Sequence, residues 1–234
     1  MTEIFLVRLN GKYAGTGFSE VPGGIAYQDR SVLSYHYYCI ILSLVPVPGN
    51  ETIPIYDRVV CDDVEGPALF RSVQVDLAQL GGSAFLTEFG GCDESPVCDE
   101  QLDWGLDAAD QFLQSWAYWG NLLGHPSTVK RLSRIYARAI AGRPLAMQYI
   151  GKQRSFHLSY YIDPNGKKPT ELVVPVSEFP IGSYNITVSS ALKWRVDSTN
   201  PNIILVEPSQ TLFRYRSKDP VIGTVEISPK SSMV

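Results

Sequence analysis

The sequence predicts two kinds of fold in one chain, an α/β part over residues 1–147 and an all-β part over residues 148–234. Strand-like and helix-like segments alternate in the first part, which is typical of a parallel sheet covered by helices. Short β-branched runs separated by turn residues fill the second part, which is typical of a small antiparallel sandwich. The composition agrees with a folded protein, since 44% of the residues are hydrophobic and 19% are charged.

Four short apolar or aromatic segments of the first part are predicted to be strands, and they cover residues 4–7, 31–38, 83–89 and 112–119. The second segment follows the turn signal Pro22-Gly23-Gly24. The third is closed by Gly90-Gly91. These signals delimit strands of the length usual in parallel sheets.

Two helices are predicted between and after these strands. Over residues 68–80 one helical face carries Leu69, Val73, Leu77 and Leu80, and Gly81-Gly82 ends the helix. Ser127 is a suitable N-cap for a second helix with apolar residues over 129–140, which Gly142 and Pro144 would end.

The all-β part contains short runs of β-branched and aromatic residues, at 171–176, 184–188, 193–196, 202–206, 211–215 and 223–227. Turn residues separate them, for example Asp163-Pro-Asn-Gly and Ser198-Thr-Asn-Pro. This spacing favours an antiparallel arrangement of strands.

Charge and motifs exclude several classes of function. The net charge is −4 and no concentrated basic footprint is evident, which argues against a nucleic-acid partner. No glycine-rich phosphate loop is found, and neither His125 nor His157 lies in a recognisable Ser-His-Asp constellation.

Cys39, Cys61, Cys92 and Cys98 allow two disulfides in three possible pairings. A zinc site is the competing interpretation, but the chain has no CxxC pair, and no histidine lies near Cys92 or Cys98. We therefore favour disulfides.

Asn50 and Asn185 begin acceptor sequences for N-glycosylation. These sequons and the cysteines indicate a secretory protein, yet no signal peptide opens the chain. We expect that the start of the parent protein is missing, and that the parent is extracellular, lysosomal or otherwise secretory.

Polar and aromatic side chains gather where the predicted strands end. Alternation along a strand places His36 and Tyr38 on one side. Glu88 interrupts an apolar strand, where a carboxylate is costly to bury unless it is paired. Trp116 and Trp119 close the last strand. A core histidine, a structural ion pair and plain aromatic packing are the alternative interpretations of these residues.

The ordered set of His36-x-Tyr38, Thr87-Glu88-Phe89-Gly90 and Trp116-x-x-Trp119 resembles glycoside hydrolase family 5, and more narrowly the endoglycoceramidases. The resemblance runs from about residue 10 to about residue 210. It implies a (β/α)8 TIM barrel followed by a C-terminal β-sandwich, with residues 1–147 and 148–234 as the two domains.

The resemblance also implies roles for particular residues. Glu88 corresponds to the nucleophile at the end of the seventh strand, and His36 and Tyr38 correspond to a pair that holds the nucleophile and the sugar. Trp116 corresponds to the aromatic floor of the subsite before the scissile bond. The implied retaining mechanism needs a second carboxyl group about 5–5.5 Å away, and neither a cofactor nor a metal.

The chain departs from this family at the acid/base residue, which is expected in an Asn-Glu-Pro motif. That motif does not occur in the 234 residues, and Asn50-Glu51-Thr52 lies in a predicted loop. A full barrel takes about 250 residues. We therefore expect residues 1–147 to form about strands five to eight, without the half that carries the acid/base.

The expected function is hydrolysis of the β-glycosidic bond between oligosaccharide and ceramide in glycosphingolipids, with simple β-glucosides as neighbouring substrates. The alternative is an inactive, truncated chain that binds carbohydrate or lipid. Expected partners are the glycolipid or β-glucoside substrate and, peripherally, membrane lipid. We also expect self-association through the open half-barrel, since an uncovered parallel sheet exposes edges and an apolar face.

Overall fold

The computed structural model describes residues 2–3, 8–9, 12–13, 17–38, 59–90, 96–212 and 220–230. Contacts divide the chain into two compact units, Met1–Thr128 and Val129–Val234. The division lies earlier than the predicted boundary at residue 147, because residues 136–150 form strands of the second unit. Within the described part of the chain, no helix is long and apolar enough to cross a membrane.

The strands of the first unit are β1 (Thr2–Glu3), β2 (Arg8–Leu9), β3 (Lys12–Tyr13), β4 (Val32–Tyr37), β5 (Ser83–Phe89) and β6 (Ser115–Trp116). The α-helices are α1 (Gly66–Leu80), α2 (Pro96–Gln111) and α3 (Pro126–Leu132), which runs past the division. A 3-10 helix (Ile25–Arg30) precedes β4, and a π-helix (Val59–Glu65) precedes α1.

Four of these strands form a parallel sheet in the order β1-β4-β5-β6. The strands predicted at 31–38 and 83–89 are confirmed as β4 and β5, and the helix predicted at 68–80 is confirmed as α1. The strand predicted at 4–7 lies outside the described residues.

Helix α2 has no counterpart among the predicted elements. Its buried positions Leu102, Leu106 and Ala109 recur at helical spacing, while carboxylates occupy many of the remaining positions. The density of acidic residues hides this periodicity when the sequence is read for apolar runs alone.

The strand predicted at 112–119 is wrong over most of its length, since only β6 is extended there. Phe112 and Gln114 donate backbone hydrogen bonds to Ala108 and Ala109, which caps the end of α2. Leu113 adopts a left-handed conformation at φ 55° and turns the chain towards β6.

The helix predicted from Ser127 to residue 140 is also wrong in its second half. Helix α3 ends at Leu132, and the next segment is the strand β7 (Tyr136–Ala139). Tertiary packing overrides helical periodicity here, because Ile135 is buried in the core of the second unit and β7 pairs with a neighbouring strand.

The remaining strands of the second unit are β8 (Gly142–Ile150), β9 (Ser155–Ile162), β10 (Thr170–Val173), β11 (Tyr184–Val188), β12 (Leu192–Val196), β13 (Ile203–Pro208) and β14 (Ile222–Pro229). They form two antiparallel sheets in the orders β12-β13-β10-β7 and β11-β14-β9-β8. Phe156 and Leu158 of one sheet share a core with Ile204 and Val206 of the other.

Five of the six strands predicted for the all-β part are present as β10 to β14, while β8 and β9 were not predicted. The sixth predicted strand, at 211–215, is not confirmed. Thr211 and Leu212 form a turn, and residues 213–219 lie outside the described part.

Candidate active site

Strand β4 presents different chemistry on its two faces. Tyr35 and Tyr37 are buried and make edge-to-face contacts with Phe70 of α1, and Tyr37 also contacts Trp104 of α2. The Tyr35 hydroxyl donates to Oε1 of Gln114. The aromatic face thus holds the strand against the helices, and alternation leaves His36 and Tyr38 for the opposite face, as predicted.

A β-bulge in β5 turns Glu88 towards His36. Tyr35 pairs with Leu86, but the next residue of β4, His36, pairs with Glu88, so that Thr87 is the extra residue of β5. In a regular strand Leu86 and Glu88 would share a face. Because of the bulge, Leu86 faces the helices and Glu88 faces the opposite side.

The carboxylate of Glu88 has two polar neighbours at the carboxyl ends of β4 and β5. Its Oε2 accepts a hydrogen bond of 3.1 Å from the Tyr38 hydroxyl, and the same oxygen lies 3.3 Å from Nδ1 of His36. The side chains of His36 and Glu88 are partly buried. Two neighbours at one oxygen fix the direction of the carboxylate.

The Tyr38 hydroxyl is kept in its protonated form. Burial raises the pKa of Tyr38 far above its ordinary value of 10.0, and the hydrogen bond to Glu88, the charge of Glu88 and nearby Tyr118 raise that pKa further. Tyr38 therefore remains a hydrogen-bond donor to Glu88 at any physiological pH.

Two hydroxyl groups beside Glu88 were missed by the sequence reasoning. Ser34 Oγ and Thr87 Oγ1 lie 2.6 Å apart, and Thr87 Oγ1 is 3.2 Å from the backbone oxygen of Tyr35. The pair ties the bulged residue to β4. The sequence indicates both residues, because Ser34 alternates with His36 along β4 and Thr87 directly precedes Glu88.

The two predicted tryptophans, Trp116 and Trp119, make other contacts than those that join His36, Tyr38 and Glu88. The ring of Trp116 packs edge-on against Phe89, with centroids 5.8 Å apart. Trp119 pairs with Gly90 in a parallel bridge and is largely exposed. The structure thus groups three of the four predicted site residues, and the role of Trp116 at a sugar stays a prediction.

Cys61 and Cys98 are both disulfide-bonded, while Cys39 and Cys92 lie outside the described residues, so the choice among the pairings stays open. Asn185 is exposed on β11, where a glycan would be accessible. Asn50 lies outside the described residues. No cluster of three or more metal-ligating side chains occurs in the part of the chain that is described.

The chemistry available is that of an oriented carboxylate at the carboxyl ends of parallel strands, which is where working residues lie in α/β barrels. A carboxylate in such a position can attack an electrophilic carbon or stabilise a developing positive charge.

Comparisons with known proteins show which proteins the chain resembles. Residues 134–214 match the family model described as the Glycoside hydrolase family 5 C-terminal domain. Endoglycoceramidase from Cyanea nozakii is 26% identical over 216 residues, which cover 82% of this chain and 39% of that protein. Endoglycoceramidase from Hydra vulgaris is 30% identical over 176 residues, which cover 67% of this chain and 29% of that protein.

Among solved structures, endo-glycoceramidase II from Rhodococcus sp. superposes with a TM-score of 0.69 at 18% identity. The match covers 98% of this chain and 50% of that one, which shows a common fold. The chain thus spans half the length of this structure and less than half of the curated relatives it matches.

By this resemblance the chain is similar to proteins of glycoside hydrolase family 5, and its residues 134–214 match the C-terminal domain of that family. The chain is endoglycoceramidase-like and corresponds to the C-terminal portion of such proteins.

Proposed function

We propose that this chain supplies the nucleophile half of a retaining glycosidase that cleaves the bond between the oligosaccharide and the ceramide of a glycosphingolipid. The observation that carries the proposal is Glu88, with Oε2 between the Tyr38 hydroxyl and Nδ1 of His36. Endo-glycoceramidase II from Rhodococcus sp. has been solved with ganglioside GM3 and as a lactosyl-enzyme intermediate, which supports both the substrate class and the covalent step.

The parallel sheet of the first unit is proposed to be four strands of a (β/α)8 barrel. Four strands in the order β1-β4-β5-β6 are half of the eight that such a barrel needs. The match covers 50% of the Rhodococcus chain, which supports the proposal that about half of the barrel is present. The second unit, with two antiparallel sheets over one core, corresponds to the C-terminal sandwich in this proposal.

In the proposed first step, an oxygen of Glu88 attacks the anomeric carbon of the sugar. The bond from that carbon to the ceramide oxygen breaks with its electron pair, and a second carboxylic acid protonates the leaving oxygen. Water then attacks the same carbon, deprotonated by the second carboxylate, and frees Glu88 with retention. His36 and Tyr38 orient the carboxylate through both steps.

The proposed acid/base residue lies outside these 234 residues, because no Asn-Glu-Pro motif occurs in them. Protonation matters most for poor leaving groups such as the ceramide alcohol. A dinitrophenolate leaving group needs no proton, so it isolates the contribution of Glu88 from that of the acid.

The test is incubation of the chain with a 2,4-dinitrophenyl 2-deoxy-2-fluoro-β-lactoside, followed by intact mass measurement and peptide mapping. We expect one fluorolactosyl group on the peptide that contains Glu88. Glu88→Gln should abolish labelling. Glu171→Gln should label like the wild type, since Glu171 is a partly buried carboxylate paired with Arg138 in the second unit.

Labelling of another carboxylate would remove Glu88 from the nucleophile role. Lactoside binding without any labelling would favour the second candidate function, an inactive chain that binds carbohydrate or lipid; the absence of an acid/base motif from the sequence is the observation that keeps this candidate open.

A further inference from the structure

The residues that directly precede His36 and Glu88 in their strands are held together by a short chain of hydrogen bonds. Thr87 Oγ1 lies 3.2 Å from the backbone oxygen of Tyr35 and 2.6 Å from Ser34 Oγ. The Tyr35 carbonyl belongs to the peptide unit that leads into His36, and Thr87 directly precedes the carboxylate residue. One hydroxyl group therefore ties the backbone before one site residue to the backbone before the other.

The direction of these two hydrogen bonds follows from the number of protons available. A threonine hydroxyl has one proton and can donate only one hydrogen bond. The backbone oxygen of Tyr35 can only accept, so Thr87 donates to it, and Ser34 Oγ is the donor to Thr87. Ser34 is 1% exposed, so the surrounding protein shields this donor from water. Thr87 is thus the central residue, and Ser34 orients the threonine hydroxyl.

The central hydroxyl lies at the β-bulge that decides which face of β5 carries Glu88. Regular pairing ends at Tyr35 with Leu86, and it resumes at His36, one residue later on β4 but two residues later on β5. A bulge interrupts the ladder of backbone hydrogen bonds, so backbone pairing holds it less firmly than a regular strand. The hydroxyl of the bulged residue supplies a contact with β4 at this interruption.

We propose that Thr87 is a positioning residue for the reaction of Glu88, with its hydroxyl holding the bulge that directs the carboxylate towards its two polar neighbours. This inference rests on the proposed function, in which Glu88 is the nucleophile. A nucleophile must lie within a narrow range of distance and angle, and a misplacement of about 1 Å can cost on the order of a hundredfold in rate. Thr87 acts through the backbone of β5 and not on the reacting atoms.

The first test is the rate at which the 2,4-dinitrophenyl 2-deoxy-2-fluoro-β-lactoside labels Glu88, followed by intact mass at several reagent concentrations. The concentration dependence separates the rate constant of labelling from the dissociation constant of the reagent. Thr87→Val keeps the shape of the side chain but lacks the hydroxyl. It should lower the rate constant by about 10- to 100-fold and leave the dissociation constant nearly unchanged. Thr87→Ser retains the hydroxyl and should restore the rate constant.

Two further variants separate the proposed role from a general loss of a hydroxyl. Ser34→Ala removes the donor to Thr87 but leaves the hydrogen bond from Thr87 to the backbone oxygen of Tyr35, so the labelling rate should fall less than in Thr87→Val. The matched control is Ser72→Ala. Ser72 Oγ donates to the Leu69 carbonyl at 2.8 Å within helix α1 of the same unit. This variant should label like the wild type.

A second measurement reports the geometry of the site without any glycoside. The chain has three histidines, so the ring-nitrogen NMR signals of the isotope-labelled protein can be assigned with His125→Gln and His157→Gln. The signal of His36 Nδ1 depends on its 3.3 Å contact with Glu88 Oε2. In Thr87→Val this signal should move towards its position in Glu88→Ala, in which the contact is lost. It should keep the wild-type position in Thr87→Ser and in the control.

If the wild type is not labelled, the proposed function fails, and the His36 signal alone decides whether Thr87 positions the carboxylate. An unchanged labelling rate or an unchanged His36 signal in Thr87→Val would overturn the proposal. An equal loss in Ser72→Ala would overturn it too, as would failure of Thr87→Ser to restore the rate and the signal. If Thr87→Val does not fold, Ser34→Ala takes its place, and wild-type labelling with an unchanged His36 signal in that variant overturns the proposal.

Discussion

Tyr38 donates to the oxygen of Glu88 that His36 also approaches, so that three side chains from two strands act as one unit. The hydroxyl can donate only while it is protonated, and its raised pKa secures this state. Above about pH 10 tyrosines of the unfolded chain lose their protons while Tyr38 keeps its own. The native state then binds more protons than the unfolded state. The contribution of Tyr38 to the free energy of unfolding therefore declines as the pH rises above about 10.

We therefore predict that Tyr38→Phe flattens the loss of stability between pH 10 and pH 12, because it removes a group that favours unfolding in base. Urea unfolding as a function of pH measures this change. Phe18→Leu, which alters an exposed aromatic residue of the same unit that has no ionisable group, serves as the control and should keep the wild-type slope. Equal slopes for all three proteins would contradict the assignment.

The side-chain hydroxyls of Ser34 and Thr87 form a hydrogen bond between β4 and β5. Ser34 is 1% exposed and Thr87 provides its side-chain partner, so Thr87→Val should leave a buried hydroxyl unsatisfied at a cost on the order of 1–3 kcal/mol. The double variant Ser34→Ala and Thr87→Val removes both hydroxyls and should cost less than the sum of the single changes. Urea unfolding of all four proteins completes the cycle, and simple additivity would show that the hydroxyls act independently.

Strand β5 ends in a close approach that excludes a side chain. Gly90 has φ +91°, and a Cβ there would lie 2.2 Å from the Tyr118 ring. Gly124 has a similar φ of +82°, but an added Cβ would meet nothing within 4 Å. The two glycines therefore separate backbone strain from steric overlap within the first unit.

We predict that Gly124→Ala costs about 1 kcal/mol through backbone strain. Gly90→Ala should cost a further 1–3 kcal/mol, on the order of other overpacked substitutions, because the Tyr118 ring must move. Thermal or urea unfolding provides both values. Equal losses of stability in the two variants would show that the Tyr118 ring moves aside without a cost in free energy.

Among the helices and strands, those that are marked by residues within their own segment could be predicted from the sequence. Apolar runs and glycine stops located β4, β5 and α1, and alternation on β4 correctly grouped His36 with Tyr38. The bulge at Thr87 could not be predicted in this way, because it is defined by pairing with β4 and not by the sequence of β5. The change from α3 to β7 likewise depends on the core that receives Ile135.

In the part of the chain that the structure describes, the first unit has a four-stranded parallel sheet, and the second unit has two antiparallel sheets that share a core. In the described sheet β1 and β6 each pair on one side, which leaves two edges that can template further pairing. We predict concentration-dependent self-association of the purified chain, measured by sedimentation velocity.

Ser115→Lys places a charge on the exposed edge strand β6 and should shift the chain towards the monomer. Thr187→Lys places the same charge at an exposed position of β11, an edge of another sheet, and should leave association unchanged. A wild-type chain that stays monomeric over the whole concentration range would contradict the expectation of an open half-barrel.

The bulge in β5 also affects how the sheet can be assembled. In a regular strand every second side chain lies on the same face, and such side chains are roughly 6.6 Å apart. Thr87 and Glu88 depart from this rule, because they are consecutive residues and both lie on the face of Ser34 and His36. If β5 slid by one residue along β4 during folding, the hydroxyl pair would separate and Glu88 would lie opposite a buried tyrosine. Such a misaligned sheet would hold an unpaired carboxylate in an aromatic core, so the polar residues that equip the site also select the correct strand alignment.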